Sequence, residues 1–222
     1  MKKIAIVTPH PDDETLGCGG TILKHRFADD EIYWLIVTRM DESLFSTECI
    51  LKRQQEIEDV AKLYKFKQTF QLSYPAASLD TIPSGELVGE IGRVFKEFEP
   101  NIIYVPYRND IHSDHRMVYD ATMACTKWFR YPSVEKVLVY ETLSETDFMM
   151  NTDANGFRPN VFVNISDFLE KKIEIMKIYG SELSPHPFPR SENAIRALAT
   201  LRGAASGVKA AEAFMLVKER VL

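Results

Sequence analysis

Cysteine and histidine are both scarce in this 222-residue chain, with three and five respectively. Cys18, Cys49 and Cys125 are odd in number and far apart, which argues against a disulfide framework and for reduced thiols in a cytoplasmic setting. No apolar run approaches the ~18 residues of a membrane span. Met1-Lys2-Lys3 leads into only a short apolar stretch, unlike a secretory signal. Positive charge is not in surplus either. Lys+Arg number 27 against 32 Asp+Glu, a net charge of -5, which speaks against nucleic acid or an anionic membrane as partner. Internal repeats, low-complexity tracts and flexible linkers are also missing, so one domain spanning residues 1–222 is expected. The acidity is not uniform: residues 1–60 hold 12 acidic and 7 basic side chains, which is the whole net charge. An anionic small molecule is therefore still admissible elsewhere on the protein.

What is present alternates between two periodicities. Lys3–Thr8 contains the unbroken run Ile4-Ala5-Ile6-Val7, the pattern of a strand buried on both faces. A helix is expected from about Glu14 to Phe27, a strand at Ile32–Thr38, and a long helix to about Tyr64 with Thr47 as its cap. Gln68–Leu72 reads as a weaker strand. Ser84 precedes a helix whose Leu87, Ile91, Val94, Phe95 and Phe98 form a core stripe, ended by Pro100. Ile102–Val105 is the next strand, stopped by Pro106. Asp114–Phe129 looks helical, Lys136–Tyr140 and Val161–Asn164 look like strands, and Ser166–Tyr179 and Ser191–Leu201 look like helices before a closing apolar segment, Ala213–Val217. Alternating strands and helices imply an α/β fold with a mainly parallel sheet. The Pro-rich piece Ser184–Arg190 is expected to be a stiff extended loop.

Two loops concentrate the rare histidines. Pro9-His10-Pro11-Asp12-Asp13-Glu14 follows the first strand, and Asn109-Asp110-Ile111-His112-Ser113-Asp114-His115 follows the fourth. In an open parallel sheet both emerge at the carboxyl ends of strands, where such folds bind ligands. Imidazole with carboxylate suits a divalent transition metal, and three protein ligands leave the open position that catalysis needs. Adjacent Asp12 and Asp13 point different ways, so one can ligate while the other serves acid–base chemistry. Taken singly, each loop is also compatible with a capped turn; together they point to a metal centre.

The two motifs resemble the signature of the LmbE-like (PIG-L) zinc-dependent de-N-acetylases. The similarity extends, more loosely, to Gly17-Cys18-Gly19-Gly20, Arg53, Arg202-Gly203 and Ala211-Glu212-Ala213-Phe214. The resemblance implies a single Rossmann-like domain, Zn2+ (Fe2+ or another divalent ion being alternatives), and removal of an N-acetyl group from a small-molecule amino sugar. It further implies His10, Asp13 and His115 as metal ligands and Asp12 as general base. His112 would stabilise the oxyanion and protonate the leaving amine, with Asp114 orienting its ring. Arg53 in this family holds substrate hydroxyls, although a solvated arginine is the plain alternative. His186 and Arg190 lie in a stretch with four basic residues and one acidic, and are candidates for meeting an anionic part of the substrate. Glu14 reads as an orienting group and Cys18 as a small buried thiol. Family members often form homo-oligomers, which is carried over only as an expectation. Two rival readings remain: a two-His-one-carboxylate iron oxygenase, whose usual scaffold is all-β, and a sugar-binding domain without turnover.

Overall fold

The computed structural model describes residues 1–149 and 156–221. Its frame is one seven-stranded sheet in the order β3-β2-β1-β4-β5-β7-β6. β1 (Lys3–Thr8), β2 (Glu31–Arg39), β3 (Gln68–Pro75), β4 (Ile102–Pro106) and β5 (Lys136–Tyr140) are parallel. β7 (Ala211–Glu219) runs antiparallel to both β5 and β6 (Val161–Asn164).

Strand alternation divides the core into two layers, because successive side chains leave opposite faces of a strand. Ala5, Val7, Leu35, Val37, Ile103 and Val105 face α3 (Ser84–Phe98) and α4 (Ser113–Ala124). Ile4, Ile6, Trp34, Ile36, Tyr104 and Tyr140 face the layer of α1 (Asp13–Phe27), α2 (Thr47–Tyr64), α5 (Leu169–Met176) and α6 (Glu192–Ser206). The unbroken apolar runs of β1 and β2 are thus covered on both sides. No helix among the described residues is long and apolar enough to cross a membrane.

Several boundaries differ from the sequence expectation, each for a local reason. Ser46, not Thr47, caps α2: its Oγ accepts the Cys49 amide at 3.3 Å. α4 ends at Ala124, where i→i+3 bonds from Cys125 and Thr126 begin the turn into β5. The helix expected over Ser166–Tyr179 is regular only as α5, since a turn precedes it and i→i+3 bonds at Ile178 and Tyr179 tighten its end. The closing apolar segment grows to nine residues because β7 has a partner on each side. Ser184–Arg190 is folded rather than extended: Phe188 donates to the Pro185 carbonyl and Ser191 to that of Phe188, two consecutive turns.

Close packing explains the glycines of α1, which lie within the helix and form no turn. A Cβ on Gly17 would come within 2.3 Å of Tyr140 Cδ2, and one on Gly20 within 2.6 Å of Ile165 Cγ2. The side chains of Tyr140 and Ile165 therefore seat directly against the backbone of α1.

Candidate active site

Strand order reverses at β1, whose neighbours are β2 on one side and β4 on the other. Such switch points open a crevice beyond the carboxyl ends of the strands. The β1–α1 and β4–α4 loops flank it, and a cleft of about 740 Å³ opens there, reaching past α2 to the end of β3.

The β1–α1 loop is pinned from several directions. The Thr38 amide and hydroxyl both donate to the Pro9 carbonyl, at 3.0 and 2.7 Å. Asp12 sits at φ 125°, a left-handed conformation that costs a non-glycine residue of order 1–3 kcal/mol. Glu14 holds it there: its buried carboxylate accepts the Asp12 amide at 2.9 Å, the Tyr179 hydroxyl at 2.9 Å and the Thr15 hydroxyl at 2.6 Å. Burial outweighs those bonds and pushes Glu14 up to about 7. The strained residue separates two adjacent carboxylates. Asp13 turns inward toward His10 and His115, whereas Asp12 turns toward Arg190.

His10, Asp13 and His115 converge, with one ligand atom from each within 4.8 Å of the others. Asp13 Oδ2 lies 3.5 Å from His10 Nδ1 and 3.5 Å from His115 Nε2. Each imidazole is oriented from behind by a carboxylate. His10 Nε2 is 3.0 Å from Asp114 Oδ2, and His115 Nδ1 is 2.7 Å from Asp110 Oδ2. His115 is fully buried, and its Nε2 has no hydrogen-bond partner. A buried ring nitrogen aimed at a carboxylate, with its far side held by Asp110, is what a divalent ion requires of a histidine ligand. Two imidazoles and one carboxylate suit zinc or iron. The residues fit the metal.

The electrostatics agree with a cation at this point. Burial opposes charge on His10, but hydrogen bonds to Asp114 and Asp13 prevail and pull it up to about 10. Burial likewise opposes ionisation of Asp13, yet His115 and His10 bring it down to about 2. Burial and then the charge of Asp13 push Asp12 well above the ordinary carboxylate range. Burial and the neighbouring His10 push His112 down to about 4.

The other expected site residues divide. His112 lines the cleft, its ring 4.5 Å from that of His10 between centroids. Asp114 does touch it, but through the backbone: the Asp114 amide donates to His112 Nδ1 at 3.2 Å, while its carboxylate is 4.0 Å away. That carboxylate is instead occupied by His10 and by the amides of Ala77 and Leu79, at 2.7 and 3.2 Å. Arg53 lines the cleft, but its donors go to the Pro11 carbonyl, Ser181, Glu182 and Glu56. Arg190 also lines the cleft, and its Nη1 is 3.1 Å from both Asp12 Oδ2 and Glu182 Oε2. His186 is exposed and is not among the residues lining the cleft. Cys18 is a buried core thiol. Two carboxylates escape sequence reasoning. Asp110 stands inside the quoted motif with no spacing rule to mark it, and Glu182 is recruited from the distant turn after α5.

The GlcNAc-PI de-N-acetylase (PIG-L) family matches residues 5–126, a stretch that includes both loops. The diacetylchitobiose deacetylase of Thermococcus kodakarensis is 25% identical over 227 residues, covering 98% of this chain and 84% of that protein. A probable N-acetyl-α-D-glucosaminyl L-malate deacetylase 2 of Bacillus anthracis is 23% identical over 192 residues, covering 82% of each. The N,N'-diacetylchitobiose deacetylase of Pyrococcus horikoshii superimposes with a TM-score of 0.79 at 23% identity, over 98% of this chain and 84% of that one, and so shares the fold. With more than half of its residues matched, both loops among them, this chain belongs to the PIG-L (LmbE-like) de-N-acetylase family.

Proposed function

We propose that this protein is a zinc-dependent hydrolase that removes the N-acetyl group of an N-acetylglucosamine-type amino sugar, releasing acetate and a free amine. The observation that carries the reading is the unpartnered Nε2 of buried His115 beside Asp13, in the cleft that also presents Asp12 and His112. His10, Asp13 and His115 are the ligands in this reading. The bound ion supplies Lewis acidity toward the amide carbonyl and toward water.

The remaining work falls to the chain's own groups. Asp12 takes the proton of the attacking water, and burial beside Asp13 makes it a stronger base than an ordinary carboxylate. Arg190 and the Glu14-held backbone fix the direction in which it faces. His112 acts on the other reacting atoms. Because its Nδ1 accepts the Asp114 amide, its hydrogen resides on Nε2, where it can bond the oxyanion. A neutral imidazole keeps that hydrogen, so the proton that Asp12 takes from water is the one delivered to the departing nitrogen. The cleft opens to bulk solvent, which suits a dissolved sugar substrate.

Acetate release from N-acetylglucosamine and its glycosides, before and after chelation and after return of zinc or iron, tests the assignment. Release abolished by chelator and restored by zinc is the expected result. Release indifferent to chelator would overturn metal dependence, and no release from any N-acetylated sugar would overturn the activity.

A further inference from the structure

Residues 11 and 12 of the β1–α1 loop are gripped at three points. The Asp12 amide donates to Glu14, the Pro11 carbonyl accepts from Arg53 Nη1 at 3.1 Å, and the Asp12 carboxylate meets Arg190. The first two grips are braced from behind. Glu14 also accepts from Tyr179 and Thr15, while Arg53 Nε lies 3.2 Å from Glu56 and its guanidinium 5.5 Å from the Tyr179 ring centroid. The third grip is weaker by itself. Arg190 reaches Asp12 through one contact, Nη1 to Oδ2 at 3.1 Å, and its buried Nε has no hydrogen-bond partner. Arg202, by contrast, takes both oxygens of Glu141 through Nε and Nη2, at 2.7 and 2.5 Å. Two parallel bonds fix the plane of a guanidinium, whereas one lets it pivot.

Glu182 supplies what the single contact lacks. Its Oε2 lies 3.1 Å from the same Arg190 Nη1, so that nitrogen is held between two carboxylates. Its Oε1 accepts from Arg53 Nη2 and from Ser181 Oγ, the latter at 3.0 Å. Two guanidinium groups that would repel each other are thereby joined through one carboxylate. Burial opposes charge on Glu182, but Arg53 and Arg190 prevail and hold its carboxyl below the ordinary range. Tyr179, Ser181 and Glu182 all come from the turn after α5, where the Glu182 amide bonds the Tyr179 carbonyl at 2.9 Å. One short segment therefore backs the Asp12 amide through Tyr179 and Glu14, and the Asp12 carboxylate through Glu182 and Arg190.

We propose that Glu182 is a positioning residue: it joins Arg53 and Arg190 into one clamp on Pro11 and Asp12, and so sets the direction in which the Asp12 carboxylate faces. It acts through Arg190, and its effect on turnover rests on the deacetylase reading of the centre.

Glu182→Gln keeps the shape of the side chain and removes its charge. Two measurements on the metal-loaded variant test the clamp. One is acetate release from the N-acetylglucosamine glycoside that the parent hydrolyses fastest, and the other is amide hydrogen exchange at His10, Asp12 and Asp13. The expected result is a kcat lower by roughly 10–100-fold, with KM within about 2-fold and metal content unchanged. Exchange at the Asp12 amide should accelerate about 10-fold as the loop opens more often. Adding Arg190→Gln should cost no more than the larger single loss, because both substitutions break one link. Losses that multiply would show that Glu182 does not act through Arg190. Glu170→Gln, which removes a carboxylate 71% exposed on α5, should leave kcat and exchange as they are in the parent. Unchanged exchange, unchanged kcat, or a loss of activity that follows metal content overturns the clamp. Faster exchange in a protein whose parent releases no acetate from any N-acetylated sugar supports the clamp and refutes the deacetylase reading.

Discussion

At the scale of single residues, what the chain declares depends on whether a function is written in residue type or in contact. The pairing of imidazole and carboxylate after two strands made a metal centre readable, the family resemblance singled out His10, Asp13 and His115, and the structure brings their ligand atoms within 4.8 Å. The partner of Asp114 was not readable. The family resemblance implied His112, but the carboxylate reaches across the sheet edge to His10 at 3.0 Å, a pairing 104 residues apart. Asp110 was equally silent, although its Oδ2 is 2.7 Å from His115 Nδ1 and the Thr146 hydroxyl braces it from the other side at 2.6 Å. Two outcomes separate these roles. Asp12→Asn should lower kcat by 10²–10⁴-fold, the usual worth of a positioned base, with metal content by elemental analysis unchanged. Asp110→Asn should instead weaken metal affinity ~10–100-fold, as loss of an outer-shell partner does, with activity recovering when zinc is raised. Should Asp110→Asn bind metal as tightly as the parent, the bond to His115 orients nothing that matters to the ion.

Secondary-structure elements were easier to find than their ends. α3 was plain because one stripe of large apolar residues is buried against one face of the sheet. α1 was visible only as glycines and small residues, whose reason is tertiary: Tyr140 and Ile165 occupy the space a Cβ would need. Gly17→Ala should therefore destabilise the fold by about 1–3 kcal/mol through overpacking, read as a lower urea midpoint at an unchanged m-value. A gain in stability, as expected for Gly→Ala in an open helix, would show that α1 can move off β5. The other end of α1 is tied through His25, whose Nδ1 is 2.8 Å from Asp30 and Nε2 2.9 Å from the Tyr104 hydroxyl of β4. Burial lowers the His25 pKa despite Asp30. The unfolded chain then binds this proton more readily than the native one below about pH 6.5, so the native advantage is full above that pH and fades as pH falls through it. The stability difference between the parent and His25→Gln should accordingly shrink from pH 7.5 to pH 5.5 in denaturant titrations, and a difference that grows would reverse the sign of this linkage.

For the whole molecule, alternation of strands and helices was enough to give a mainly parallel α/β sheet, since βαβ connections leave few other arrangements. The order in which strands are laid down, and hence the crevice between β1 and β4, is set by long-range packing that no local pattern encodes. That topology has a thermodynamic consequence. The two motif loops lie about a hundred residues apart, so His10, Asp13 and His115 meet only when β1 and β4 are paired and both helices are seated. An unfolded chain offers the ion no such site, and metal binding is then folding free energy. At a free zinc concentration 100 times the dissociation constant the native state gains ~2.7 kcal/mol. For a chain of this size, with ~2–4 °C per kcal/mol, Tm should rise by roughly 5–10 °C on adding zinc after chelation. His115→Ala supplies the control, because it removes a proposed ligand without touching the sheet order. If the variant shows the same rise as the parent, the ion is stabilising the fold from somewhere other than the β1–β4 crevice. If only the parent responds, closure of the sheet around the switch point and assembly of the metal centre are one event.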